Sequence, residues 1–149
     1  MKKYRISLLI ILTGGFMFLS SNAVCQKPDA ADQENLRQIR RVCNHIIAVD
    51  LYGKEQFKEA LESFKNALTN EKYQEGFYYV GQCYWRLMNP EMAHDWFAAA
   101  EMMGGALTQK AKEDKEKLYK PLHNNTLIGI DKVHKRAQAI LDHYPDPVS

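Results

Sequence analysis

Apolar residues recur along most of this chain at intervals of three and four, the spacing that lines one side of an α-helix, and nowhere alternate at period two over a useful length. The pattern predicts about six helices and no strands. Leu36, Ile39, Cys43, Ile46, Ile47 and Leu51 form one stripe, which predicts a first helix over about 34–52 with these residues turned to the core and Gly53 ending it. After a very short turn, Phe57, Ala60, Leu61, Phe64, Ala67 and Leu68 predict a second helix over about 54–69, antiparallel to the first because the connection is short. A third begins near Tyr73 and stops before Asn89-Pro90, proline being suited to the first turn of the next helix. The fourth carries Met92, Ala93, Trp96, Phe97, Ala100 and Met103 until Gly104 and Gly105 break it. From Ala106 to Tyr119 the segment ALTQKAKEDKEKLY reads as a solvated fifth helix, apolar only at Ala111 and Leu118 and broken by Pro121. Asn124, Asn125 and Thr126 offer capping oxygens for a sixth, along Leu127, Ile130, Val133, Ala137, Ile140 and Leu141, ending before Pro145.

The first 25 residues stand apart. A basic start, MKKYR, is followed by the apolar run ISLLIILTGGFMFL and the small residues of SSNAVC, the arrangement of a secretory signal peptide. A spanning helix needs roughly 20 apolar residues, and Gly14 and Gly15 interrupt this run, so no transmembrane helix is expected after processing. Cleavage fits after Ala23 or after Cys25, the second being preferred; lipid anchoring at Cys25 is the lesser alternative, since Asn22, Ala23 and Val24 do not place a leucine-like residue three before it. The chain is therefore expected to be exported, to a periplasm or the extracellular space. Residues 26–33 are expected to be a disordered lead, 34–144 one helical domain and 145–149 a tail.

Removal of that segment also changes the charge. Of the 149 residues 46% are hydrophobic and 26% charged, an ordinary globular composition, with 20 basic and 18 acidic side chains. Losing Lys2, Lys3 and Arg5 leaves 17 basic against 18 acidic, so the excess that drives phosphate binding is missing and no nucleic acid is expected as partner. Cys43 and Cys83 remain, too few for zinc and without the spacing that predicts it; whether they pair depends on a geometry that spacing does not supply.

The informative feature is repetition. Ala60, Phe64 and Ala67 recur as Ala93, Phe97 and Ala100, all shifted by 33, and the helix before the second set carries Phe77, Val80, Gly81 and Tyr84. In these residues the chain resembles a tetratricopeptide repeat (TPR) protein, whose unit is a helix pair of about 34 residues with a Trp, Leu-Gly, Tyr, Ala, Phe, Pro signature. Phe77 stands for the tryptophan, Val80 for the leucine, and Gly81, Tyr84, Ala93 and Phe97 match outright; Gly105 takes the place of the closing proline. The first unit keeps Ala60, Phe64 and Ala67, with Ile47-Ala48 at the Leu-Gly place, but has Asn44 for tryptophan and Leu51 for tyrosine. One good and one degenerate repeat thus cover about 34–105, and positions 127, 131 and 134 (Leu, Asp, His) depart from the alanine, phenylalanine, alanine pattern, as a capping third pair does. The resemblance implies an all-α fold of TPR-like hairpins stacked into a short right-handed α-solenoid, with small residues at the helix seams and rings filling the gaps.

It also implies a concave groove, lined by the first helix of each pair, that docks a peptide or partner protein. On the third helix Tyr78, Gln82, Trp85 and Arg86 fall on that side; the first contributes His45, Val49 and Tyr52, and the fifth Lys112 and Tyr119. Tyr, Trp and Arg are the side chains that dominate binding energetics at interfaces. No His-Glu-x-x-His, Gly-x-Ser-x-Gly, phosphate-loop or dinucleotide signature is present, and His45, His94, His123, His134 and His143 form no ligand set, so neither an enzyme nor a cofactor is expected. Asn124-Asn125-Thr126 matches the glycosylation pattern and serves equally as a cap. The expected function is an exported protein–protein interaction module; the alternative is a structural helical unit that buries the same surface by self-association.

Overall fold

The computed structural model describes the backbone of residues 29–122 and 130–147 and the side chains of 29–118 and 132–147. The expectations for the signal segment, its cut sites, Cys25, the caps at 124–126, Leu127 and the Tyr119 side chain lie outside the described residues. Six helices follow one another: α1 (Ala30–Gly53), α2 (Phe57–Leu68), α3 (Gln74–Arg86), α4 (Pro90–Met103), α5 (Thr108–Leu122) and α6 (Ile130–Asp142), with no strand among the described residues. α1 starts ahead of the predicted 34 because the Asp29 carboxylate accepts the Asp32 N–H at 2.7 Å and caps it. Pro121 does not break α5 but sits in its last turn. At the far end the tail is held: Lys72 N–H donates to the Pro145 carbonyl at 2.8 Å, and Lys72 Nζ reaches Asp146 at 2.5 Å.

The two helix turns are the same object repeated. Each first helix ends with a left-handed residue, Glu55 (φ 61°) and Met88 (φ 58°). The Gln56 N–H returns to the Leu51 carbonyl at 3.0 Å and the Glu55 N–H to Tyr52 at 3.0 Å; 33 residues on, Asn89 returns to Tyr84 at 2.9 Å and Met88 to Trp85 at 3.1 Å. This is the double bond pattern that closes a helix on a left-handed residue, satisfying carbonyls left over at its end. Gly53, expected to end α1, is its last residue.

The seams repeat with the same offset. Ala48, Ala60, Phe64 and Ala67 are fully buried, as are Ala93, Phe97 and Ala100. Gly81, which stands where Ala48 does in the first pair, allows α3 and α4 to meet closely: a Cβ there would lie 2.7 Å from the Phe97 ring and 3.3 Å from the Ala93 carbonyl oxygen. Helices pack in chain order from α1 to α5, and α6 lies against α4. α4 is thereby enclosed by three helices, which explains why it is buried continuously from Ala93 to Ala100 rather than on the single stripe its spacing suggests.

Two expectations are corrected by the packing. α1 touches its neighbours through Arg41, His45, Ala48, Leu51 and Tyr52, and Ala48 alone is buried there. Leu36, Ile39, Cys43, Ile46 and Ile47, the stripe expected in the core, face outward. The close seam needs a small side chain, and Ala48 points away from that stripe, so the larger aliphatic residues are turned from the array. α5 is not simply solvated: Ala111, Asp114 and Leu118 are buried against the preceding helices.

Candidate functional site

Of the residues expected to line a groove, His45 and Tyr52 on α1 and Tyr78, Gln82, Trp85 and Arg86 on α3 occupy one side of their helices, to different depths. Tyr78 is closed off, 3% exposed, its hydroxyl donating to Asp114 Oδ2 at 2.8 Å. Gln82 Nε2 bridges the Tyr78 hydroxyl at 2.7 Å and the same carboxylate oxygen at 3.0 Å, while Lys117 Nζ meets Asp114 Oδ1 at 2.7 Å. A buried carboxylate with three donors is a satisfied network that joins α3 to α5. Burial pushes the Tyr78 phenol well above its ordinary range, and the bond to Asp114, which needs the proton, adds to this. Lys110 Nζ lies 5.4 Å from the centre of the Tyr78 ring.

His45 is half-buried among Phe64, Tyr73 and Tyr79, with Nδ1 3.0 Å from the Tyr73 hydroxyl. Burial lowers its pKa, with the Arg41 charge in the same direction and Glu75 opposing. Tyr52 sits edge-on between Phe57 and Tyr79, 5.3 and 5.7 Å away. Tyr79, which belongs to neither the expected core nor the expected groove, is the hub of this cluster: it stacks on Phe64 at 5.2 Å and meets the rings of His45, Tyr52 and Tyr78. Its position between two stripes of α3 is the reason spacing alone assigned it to neither.

What reaches solvent is narrower. Trp85 is half-buried with its edge on Phe97 at 6.2 Å, Gln82 is half-buried, and Arg86 is exposed with its guanidinium 5.8 Å from the Phe57 ring centre. Val49 and Lys112 are exposed. The open part of the expected site is therefore an aromatic edge, an amide and a guanidinium on one flank of α3, backed by a ring cluster and by the Asp114 network.

Buried polar groups elsewhere act as fasteners. Gln74, at the start of α3, donates from Nε2 to the Ala100 carbonyl at 3.1 Å and to Thr108 Oγ1 at 2.9 Å, and accepts the Leu107 N–H at 2.8 Å. One side chain thus serves the end of α4 and the start of α5. Gly105 (φ 122°) is required beside it, since a Cβ would run into the Gln74 amide. Asp95 of α4 takes a forked bond from Arg136 of α6, Nε to Oδ2 at 2.5 Å and Nη2 to Oδ1 at 2.9 Å. Burial works to raise the Asp95 pKa, but His94 and Arg136 together hold it below the ordinary carboxylate value.

Cys43 is an exposed free thiol; Cys83 is free and buried, and desolvation pushes it up to about 12. Among the described residues no group of three or more His, Cys, Asp and Glu is arranged to hold a metal ion, and no helix is long and apolar enough to cross a membrane. No protein-family model, no curated protein and no solved structure matches the chain.

Proposed function

We propose that the chain is an exported, TPR-like interaction module: paired helices stacked as a short right-handed α-solenoid, docking a peptide or a segment of a partner protein along the inner sides of α1 and α3. The observation that carries this reading is the offset of 33 residues, shared by the turn hydrogen bonds, the left-handed residues and the fully buried Ala–Phe–Ala seams. Two helix pairs with one geometry, placed in contact through α2 and α3, are the elementary step of a solenoid. The open flank of α3, with Trp85, Gln82 and Arg86, supplies side chains suited to anchor a partner on a rigid support. Tyr78, His45 and Tyr52 then serve as backing that fixes the flank. Export rests on the basic, apolar and small-residue order of residues 1–25.

The test is selection of a random peptide display library on the immobilised chain, followed by binding to the Arg86→Glu and Gln82→Ala variants. Arg86 is exposed and Gln82 half-buried, so the Arg86 change should leave the fold intact. Peptides held by the wild type and released by Arg86→Glu, with an unchanged helical spectrum, are the expected result. A library yielding no binders, or binders indifferent to both changes, refutes the docking role.

A further inference from the structure

The outward side of α1 is the least expected surface in the molecule. Leu36, Ile39, Val42, Ile46, Ile47 and Val49 are 43 to 62% exposed, and apart from Met88 they are all the large hydrophobic residues exposed among the described ones. At 100° per residue they fall within an arc of about 160°, with Ile39 at its middle and Cys43 inside it about 40° away. Six aliphatic side chains half-open to water amount to an apolar patch of roughly 500 Å², at the upper end of what monomers carry. A stack of helices normally ends in a unit whose outer side is polar.

Among the described residues the opposite end meets that requirement. α5 exposes Lys112, Glu113, Glu116 and Lys117, and α6 exposes Lys132, His134, Lys135 and Gln138. The two ends are therefore unlike: one polar and closed, the other aliphatic and open. Head-to-tail stacking of copies would set the aliphatic end on charges, so it is disfavoured. The aliphatic end is complementary to itself, and a two-fold axis closes such a contact after two copies.

We infer that the α1 stripe is a homodimer interface, in which a second copy of this chain lays its own α1 across Leu36, Ile39, Cys43 and Ile46. These four positions follow a 3–4–3 spacing, the seam by which two helices interlock. Two patches of this size bury about 1,000 Å², the lower bound for a specific interface, before the flanking polar residues are added. The interface lies away from Trp85 and Arg86, so it leaves the proposed docking flank free and extends that reading rather than depending on it.

The experiment uses the protein recovered from expression of the full 149-residue sequence, studied by sedimentation velocity from about 1 to 100 μM, a range that spans the affinity such an interface reaches. The wild type is expected to sediment as a dimer at the upper end, and the double variant Ile39→Glu/Ile46→Glu as a monomer throughout, a weakening of about 100-fold or more. Both positions are exposed, and an unchanged far-UV spectrum and urea midpoint for the monomeric variant exclude unfolding. Alkylation of Cys43 by N-ethylmaleimide, read by peptide mapping, is expected to slow as wild-type concentration rises and to stay constant in the variant. Arg86→Glu should leave the dimer intact. A wild type that is monomeric throughout overturns the inference, and retention of residues 1–25 in its mass would then point to that apolar run as the cover. A dimer that survives Ile39→Glu/Ile46→Glu, or dissociates with Arg86→Glu instead, overturns it equally.

Discussion

Replacing Gly81 with alanine inserts one methyl where α3 crosses α4, and the sign of the result tests the seam. On a free helix the change would stabilise by about 1 kcal/mol, since glycine is the poorer helix former by that amount. Here the new Cβ would stand 2.7 Å from two carbons of the Phe97 ring and 3.3 Å from a backbone oxygen. The ring cannot give easily: Phe97 is fully buried and flanked by Tyr78 and Trp85 at 5.5 and 6.2 Å. Overpacking of this kind costs typically 1–3 kcal/mol, and with part of the propensity gain offsetting it the expected net loss is about 1–2 kcal/mol. Gly53 is the internal control, because a Cβ there meets nothing within 4 Å, and Gly53→Ala should be neutral or stabilising by up to about 1 kcal/mol. Urea denaturation followed by the helical signal reads both, as a midpoint about 1 M lower for Gly81→Ala at an unchanged slope. A Gly81→Ala protein as stable as the wild type would mean that the helices do not approach this closely, and the alignment of Ala48 with Gly81 would lose its physical meaning.

Two further outcomes follow from particular residues. Glu55→Gly and Met88→Gly place the residue best suited to a left-handed φ in both turns, where the non-glycine residue costs about 1–2 kcal/mol; after the added flexibility of the unfolded chain, each should gain about 0.5–1 kcal/mol in urea midpoint measurements, and a loss at either would contradict the turn geometry. Arg136→Gln should cost about 1–2 kcal/mol at neutral pH, discounted because the Arg136 side chain is half-exposed while Asp95 is buried. The folded pKa of Asp95 is depressed, so its share of the stability is fully present above the unfolded value of about 3.9 and is lost as pH falls through the lower folded one. The difference between Arg136→Gln and wild type should therefore shrink below about pH 4, and a difference independent of acid would show that the ion pair does not fasten α6.

The helical class and order were legible because the three-and-four spacing survives in every segment, and Pro90 and the Gly104-Gly105 pair mark real boundaries. What misled was the choice of face on α1. Two stripes compete there, and hydrophobicity favours the one that packs against nothing in this chain. The offset of 33 holds the corrective signal: Ala48 aligns with Gly81, and on α3 the residue in that register is the one at the seam. The same offset takes Gly81 to Asp114, whose burial in a segment rich in lysine and glutamate no hydrophobic pattern could announce. Of the candidate site, aromatic character was readable but depth was not. Tyr78 and Trp85 lie on one stripe of α3, yet the arrival of α5 closes over the first and leaves part of the second open.

The unequal ends of the molecule give these details a common sense. From α3 onward the helices are joined by buried polar groups with partners on other helices: Gln74 ties α3 to the end of α4 and the start of α5, Asp114 ties α5 to α3, and Asp95 ties α4 to α6. Such groups are costly when unpaired and so enforce one arrangement. α1 is held by other means, through the buried Ala48, the ring cluster about Tyr79, the His45–Tyr73 hydrogen bond at 3.0 Å and the Arg41–Glu71 pair at 3.0 Å. Its outer aliphatic surface is larger than its inner one. A cover on that outside would bury the stripe only while α1 is in place, so coverage of the stripe and anchoring of α1 are thermodynamically linked. A partner on that side would thus fix the same helix that carries Tyr52 and Val49 to the edge of the proposed docking flank.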